Sequence, residues 1–361
     1  NTGIVTVSAG TLSLSGGGTS TGSFTGAAGT TLVFEGSGAT LLTAASSITG
    51  AGSVTVSFNG NLTLTIDGTY NLTGGTSATT VSNGTMSFGV GATITSVGAS
   101  FTLTGGATAD FGGHTVTLPS LVLSGTLQGT GIVTVSGATT WTGGTMTGTG
   151  VTNTVGGLTL SGNGQKQLTG GRTLNTPGPT TWTNSTATTG SIGVGGGAII
   201  NNSGTWLDQT VSTSISYING AAPTFNNSGT YTKSGAGTTT IDSPSVFNNS
   251  GAVEVQSGTL SFNGGFTQTA GLTTLNGGNL SVSGTLGLSG GILRGTGTVT
   301  ATTVSNTGGQ VGPGLSPGTL TNRSCRPTSG SPACSRCRAR AKALELFSWR
   351  RRRRAFPPRP R

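Results

Sequence analysis

Short runs of alternating apolar and polar residues limit this chain's options more than any other feature. Val5 and Val7 flank Thr6, and Leu12 and Leu14 flank Ser13. Val54, Val56 and Phe58 alternate with Thr55 and Ser57, and Leu62, Leu64 and Ile66 repeat the pattern, as do Leu121 with Leu123 and Leu286 with Leu288. A period of two puts every apolar side chain of a run on one face of a β-strand. Each run covers about three to six residues before Gly-Gly, Asn-Gly or Ser-Gly turns the chain. Such strands are too short to bury much surface alone, so the fold must bring many of them together.

The runs recur as related words. Thr2-Gly3-Ile4-Val5-Thr6-Val7 returns at Thr130 to Val135, and Ser-Gly-Thr-Leu starts at Ser124, Ser257 and Ser283. Trp141 to Gly150 is echoed by Leu288 to Gly297. Asn-Asn-Ser-Gly starts at Asn201, Asn226 and Asn248, at nearly even intervals. A repeat of about 20–25 residues built from two or three short strands and tight turns fits one coil of a parallel β-solenoid. One coil cannot bury its apolar face, whereas stacked coils pair strand to strand along an axis and share an interior of Val, Leu and Ile. Thr, being β-branched and polar, suits the outer surface. Asn and Gly suit the corners, and stacked Asn side chains can form ladders. At about 4.8 Å per coil, roughly 14 coils give a rod on the order of 70 Å. The competing architecture, a string of immunoglobulin-like sandwiches, fits less well. Trp141, Trp182 and Trp206 have no domain-length period, and no cysteine precedes Cys325.

Composition removes other classes. Charged residues are 7% of the chain and 68 of its 361 residues are Gly. Strong helix formers are scarce, which argues against α and α/β enzymes. Disorder pairs high charge with few β-branched residues, the reverse of this sequence. No apolar run reaches the length of a membrane-spanning helix, and Gly lacks the three-residue period of collagen. The formal charge of +10 is concentrated at one end. Residues 1–320 hold four cations (Lys166, Arg172, Lys233, Arg294) against six anions, a net −2, while residues 321–361 hold 13 cations and Glu345. Asn1-Thr2-Gly3 already lies inside the repeat pattern, which reads as a fragment of a longer solenoid.

Val311-Gly-Pro-Gly-Leu-Ser-Pro-Gly-Thr-Leu-Thr321 resembles a stretch found late in the β-solenoids of filamentous-haemagglutinin-like adhesins and autotransporter passenger domains. Ser257 to Leu260, Phe266 to Thr269, Leu275 to Gly278 and Gly295 to Val299 add to the likeness, which is specific over about residues 248–321. The resemblance implies a right-handed parallel β-helix at or outside a bacterial cell surface, with adhesion as its usual role. It implies contact with host or neighbouring cells through glycan or protein ligands, and association with the outer membrane through an anchor outside this sequence. It carries over no catalytic, cofactor or metal residue, and none is assigned.

Two regions follow from this reading: a solenoid over 1–321 and an Arg/Pro/Cys-rich tail over 322–361. The tail reads as disordered, and its abrupt change of texture in mid-motif reads as out-of-frame coding sequence. A polybasic arm for nucleic acid or anionic lipid is the rival; no specific nucleic-acid partner is assigned. Cys334 and Cys337 form a C-x-x-C pair with Cys325 nearby, one ligand short of a structural zinc site.

The alternative function is a β-helix polysaccharide lyase or glycoside hydrolase, which needs clustered carboxylates. Asp208 with Asp242, and Asp242 with Glu254, are the only remotely suitable pairs, and their spacings miss one coil. Asp110-Phe-Gly-Gly-His114 offers an acid and a base, but its glycines point to a turn. Tyr70, Trp141 and Trp206 are candidates for glycan contact or for burial. Asn61, Asn71, Asn83, Asn184 and Asn279 open Asn-x-Ser/Thr sequons that this composition produces by chance. The chain therefore reads as a non-enzymatic, cell-surface display rod.

Overall fold

The computed structural model describes residues 1–58, 62–184 and 189–313. The 322–361 tail, its cysteines, the motif beyond Pro313 and the sequon at Asn61 lie outside the described residues.

The described chain is a parallel β-solenoid of about 14 coils with no helix. Each coil contributes one strand to each of three faces. Thr224–Asn227 lies on the first face, Thr230–Lys233 on the second and Thr238–Ile241 on the third. Each pairs in parallel with its counterparts in the coils before and after, so Phe225 lies between Ile200 and Phe247 and Tyr231 between Trp206 and Val253. Coil length varies more widely than the repeat words suggest. Val116 stacks on Val133 across a short coil, whereas Thr173 stacks on Ile199 across a long one. Most insertions are absorbed at the corners, and the register shifts within the pairings at Tyr70/Asn71, Val81/Asn83 and Val282/Thr285.

Alternation fixes which side chains enter the interior. In Ser53–Phe58 the valines and Phe58 are buried while Ser53, Thr55 and Ser57 are half-exposed. Successive coils superpose these positions, giving one continuous core rather than separate ones. Contacts between aromatic rings are densest from Trp182 to Phe266. Trp206 stacks on Tyr231 with centroids 6.1 Å apart, and Phe225 on Phe247 at 4.9 Å. Such contacts add directional packing to simple area burial.

Glycine governs the corner between the first and second faces. Gly204, Gly229, Gly251 and Gly271 succeed one another there, each packed on the backbone of the previous coil. A Cβ on Gly251 would lie 2.1 Å from the Gly229 carbonyl oxygen. That oxygen also accepts the Ala252 N–H at 2.7 Å. The turn thus stacks at strand spacing because no side chain stands between the coils.

The Asn-Asn-Ser-Gly words yield two ladders. The first Asn of each pair points outward, and Asn248 donates to Asn226 at 3.0 Å, Asn226 to Asn201 at 2.9 Å and Asn201 to Asn175 at 2.9 Å. The second Asn points into the core, a correction to the expectation that Asn belongs outside or at corners. Asn202 donates to Asn227 at 2.7 Å and Asn227 to Asn249 at 2.8 Å, all three buried. Both positions lie in one strand, so period two sends them to opposite sides. The buried amides are tolerated because each finds its partner one coil away.

Candidate functional site

The carboxylates and the histidine singled out in the sequence occupy separate places. Asp110 closes its own turn by accepting the Gly112 N–H at 2.8 Å, and accepts the Gln128 amide at 3.0 Å. His114 turns away to donate from Nε2 to the Gly89 carbonyl at 2.7 Å. Each side chain therefore braces a corner. Asp208 lies inside the second face, whereas Asp242 follows the third-face strand that ends at Ile241 and accepts from Asn263 at 3.1 Å. Glu254 stands on the outer side of the second face, where Asn276 donates to it at 3.4 Å. The topology thus puts Asp242 on a different face from both Asp208 and Glu254. Burial raises the Asp242 carboxyl above the ordinary carboxylate range, with the Asn263 hydrogen bond opposing. Among the described residues no group of three His, Cys, Asp or Glu side chains is placed to hold a metal.

Tyr70, Trp141 and Trp206 are core residues, at most 1% exposed, so direct glycan contact through these rings is corrected to packing. Tyr70 keeps its hydroxyl satisfied on Thr79 at 2.7 Å.

The chemistry of the molecule lies in buried charges. Three of the four body cations are inside: Lys166, Arg172 and Lys233 are each 0% exposed. Arg172 staples the corner between the third and first faces, donating to Thr152 Oγ1 at 2.9 Å, Thr147 O at 2.8 Å and Gly129 O at 3.2 Å. Burial lowers its pKa to about 10. Lys166 donates to the Gly164 and Thr142 carbonyls at 3.1 and 3.5 Å, and burial lowers its pKa to about 8.

Lys233 sits at the equivalent corner between the second and third faces, donating to Thr210 O at 3.0 Å and Gly235 O at 2.8 Å. Unlike Lys166, it also has a carboxylate beside it. Asp208, stacked directly before it in the ladder, places Oδ1 3.8 Å from Nζ, with both side chains fully buried. Asp208 is itself held on three sides. Tyr231 donates its hydroxyl to Oδ2 at 2.9 Å, while Thr210 donates N–H and Oγ–H to Oδ1 at 3.0 and 2.6 Å. Burial lowers the Lys233 pKa, with the charge of Asp208 opposing. Burial, the Asp208 charge and the hydrogen bond together raise the Tyr231 phenol well above its usual value, so it stays a donor at neutral pH. A signal for this cluster lay in the sequence: Trp206-x-Asp208 and Tyr231-x-Lys233 continue the inward phase of two runs one repeat apart.

Lys166 gives a pH prediction with a definite sign. Its pKa is lower folded than unfolded, so between about pH 8 and 10.5 the unfolded chain holds more protons and folding gains stability as pH rises. Below that window its charge is a constant cost. Lys166→Met is expected to flatten the rise in urea midpoint between pH 8 and 10.5 relative to the parent chain. Parallel midpoint profiles would contradict the buried-amine assignment.

The geometry defines the class of protein as a sparsely charged parallel β-solenoid in which many buried polar groups pair with the neighbouring coil. No family model, curated protein or solved structure matches the chain.

Proposed function

We propose that the chain is a rigid display rod of a cell-surface or extracellular protein, adhesin-like and built in the manner of filamentous-haemagglutinin or autotransporter passenger repeats. The observation that carries this reading is the regularity of its outer rows. On the second face Thr55, Thr80 and Thr102 follow one another in successive coils, as do Thr140, Thr159 and Thr181. On the first face Asn153, Asn175, Asn201, Asn226 and Asn248 form a second uncharged row. Strand pairing spaces such hydroxyls and amides by about 4.8 Å. A rod of this kind contacts its partner through many weak, identical groups, and multivalency raises their combined strength. Glycan or protein ligands on host or neighbouring cells fit that chemistry, with the rod held near an outer membrane by an anchor elsewhere.

The test is retention of beads coated with the full chain on a panel of glycans, matrix proteins and cells. Specific retention, reduced at least tenfold by Thr140→Lys, Thr159→Lys and Thr181→Lys together, is expected. Failure to bind across the panel, or binding indifferent to the triple variant, contradicts adhesion through this face. Turnover of a polysaccharide would replace the reading with the lyase or hydrolase alternative.

A further inference from the structure

We propose that Lys233 and Asp208 join spontaneously through an isopeptide bond, cross-linking two neighbouring coils inside the rod. The inference goes beyond the display role and stands on a side-chain cluster that the role does not require.

The comparison of the two buried lysines carries the argument. Lys166 and Lys233 occupy equivalent corners, and each donates to a carbonyl of the preceding coil and to one two residues away in its own strand or turn. Those two acceptors take two of the amine's hydrogens, and around Lys166 no carboxylate is added to them. A lysine can therefore be buried at this corner without an acidic partner, as Lys166 shows. Around Lys233 three further groups have been added: a carboxylate, a phenol and a threonine, all aimed at one another. The Lys233 nitrogen approaches Asp208 Oδ1 at 3.8 Å, one bond from the carbon it would attack, with two of its hydrogens engaged by carbonyls. Ion-pair geometry would bring nitrogen and oxygen about 1 Å closer.

The site also supplies what amide formation requires. Both side chains are 0% exposed, and Trp182 stacks on Asp208 from the preceding coil, so hydrolysis by bulk water is disfavoured. A dry interior disfavours separated charges, so proton transfer from the ammonium to the carboxylate yields the better-tolerated neutral pair. The amine lone pair then attacks Cγ, forming the C–N bond while the carbonyl electron pair moves onto oxygen. Tyr231 and Thr210 hold the two oxygens as charge develops there. Collapse breaks one C–O bond, and that oxygen leaves as water with the acid proton and one proton from nitrogen. The product is a neutral amide whose remaining N–H reaches one of the two carbonyls that held the amine. No oxidant or second reactant enters. Tyr231 is a catalytic residue in this step, since it touches the reacting carboxyl.

Intact-mass spectrometry of the denatured full chain tests the proposal. The expected mass is one water below that of the linear sequence, and chymotryptic digestion should release a branched peptide joining the segments around Asp208 and Lys233. Lys233→Arg keeps the charge and cannot form the link, so it should show the linear mass. Tyr231→Phe should leave a larger unlinked fraction that closes more slowly. Lys166 should appear only in linear peptides. A folded parent chain of full linear mass without the branched peptide would overturn the proposal and leave an ion pair. So would a water loss that persists in Lys233→Arg.

Discussion

Gly251→Ala is expected to destabilise the solenoid by at least about 3 kcal/mol, although it adds a single methyl group. The added carbon would lie 2.1 Å from the Gly229 carbonyl oxygen, a backbone atom with no rotamer to move. Relief requires separating the two coils at this corner, and that breaks the 2.7 Å bond by which Ala252 N–H holds the same oxygen. Overpacking and a lost buried hydrogen bond therefore add together. Gly75→Ala is the control. No atom lies within 4 Å of the Cβ it would gain, so its effect should stay within about 0.5 kcal/mol or favour the folded state slightly. Urea midpoints and amide protection at Ala252 and Leu272 measure both. Equal effects at Gly251 and Gly75 would mean that corner stacking is not what demands glycine.

The inner asparagine ladder gives the second large effect. Asn227→Leu removes the donor to Asn249 Oδ1 and to Ala252 O, both at 2.8 Å, and the acceptor of Asn202 Nδ2 at 2.7 Å. Water cannot replace these partners in a buried column. Each orphaned group costs about 1–3 kcal/mol, so a total loss of about 3–5 kcal/mol is expected. Asn226→Ala, one residue earlier and half-exposed, should cost no more than about 1 kcal/mol, because solvent reaches its neighbours. Changing Asn202, Asn227 and Asn249 to Leu together should cost less than the three single losses combined, since partners are then removed with their donors. Additive losses, or equal losses at Asn226 and Asn227, would contradict the ladder's energetic role.

These variants mark where the sequence was readable. Period two in runs such as Ser53–Phe58 and the even recurrence of Asn-Asn-Ser-Gly were enough to derive parallel stacked coils and an asparagine ladder. The inward ladder escaped because polarity was equated with the outer surface, whereas phase decides direction. In Thr224–Asn227 the same alternation that buries Phe225 must bury Asn227. The Asp208–Tyr231–Lys233 cluster escaped for a related reason. Residues 208 and 233 are distant along the chain, and only the coil register makes them neighbours. Spacing already argued against pairing Asp208 with Asp242, and the coil adds a second reason, since it has three faces and the strand ending at Ile241 carries Asp242 to another one. The adhesin-like resemblance rests on a motif that the described residues enter only through Pro313.

The central claim is that successive coils advance by one strand spacing along a single axis. Distances between pairs of nitroxide labels test it most directly, with Cys325, Cys334 and Cys337 replaced by Ser so that only introduced cysteines react. Thr55, Thr140, Thr181 and Thr232 lie in one outward row of the second face, separated by four, two and two coil steps. Labels at Thr55 and Thr140, Thr55 and Thr181, and Thr55 and Thr232 should give Cα separations near ~19, ~29 and ~38 Å, increasing in proportion to the coils between them. Separations that fail to grow with coil number, or a Thr55–Thr232 distance no longer than Thr55–Thr140, would contradict the stacked rod.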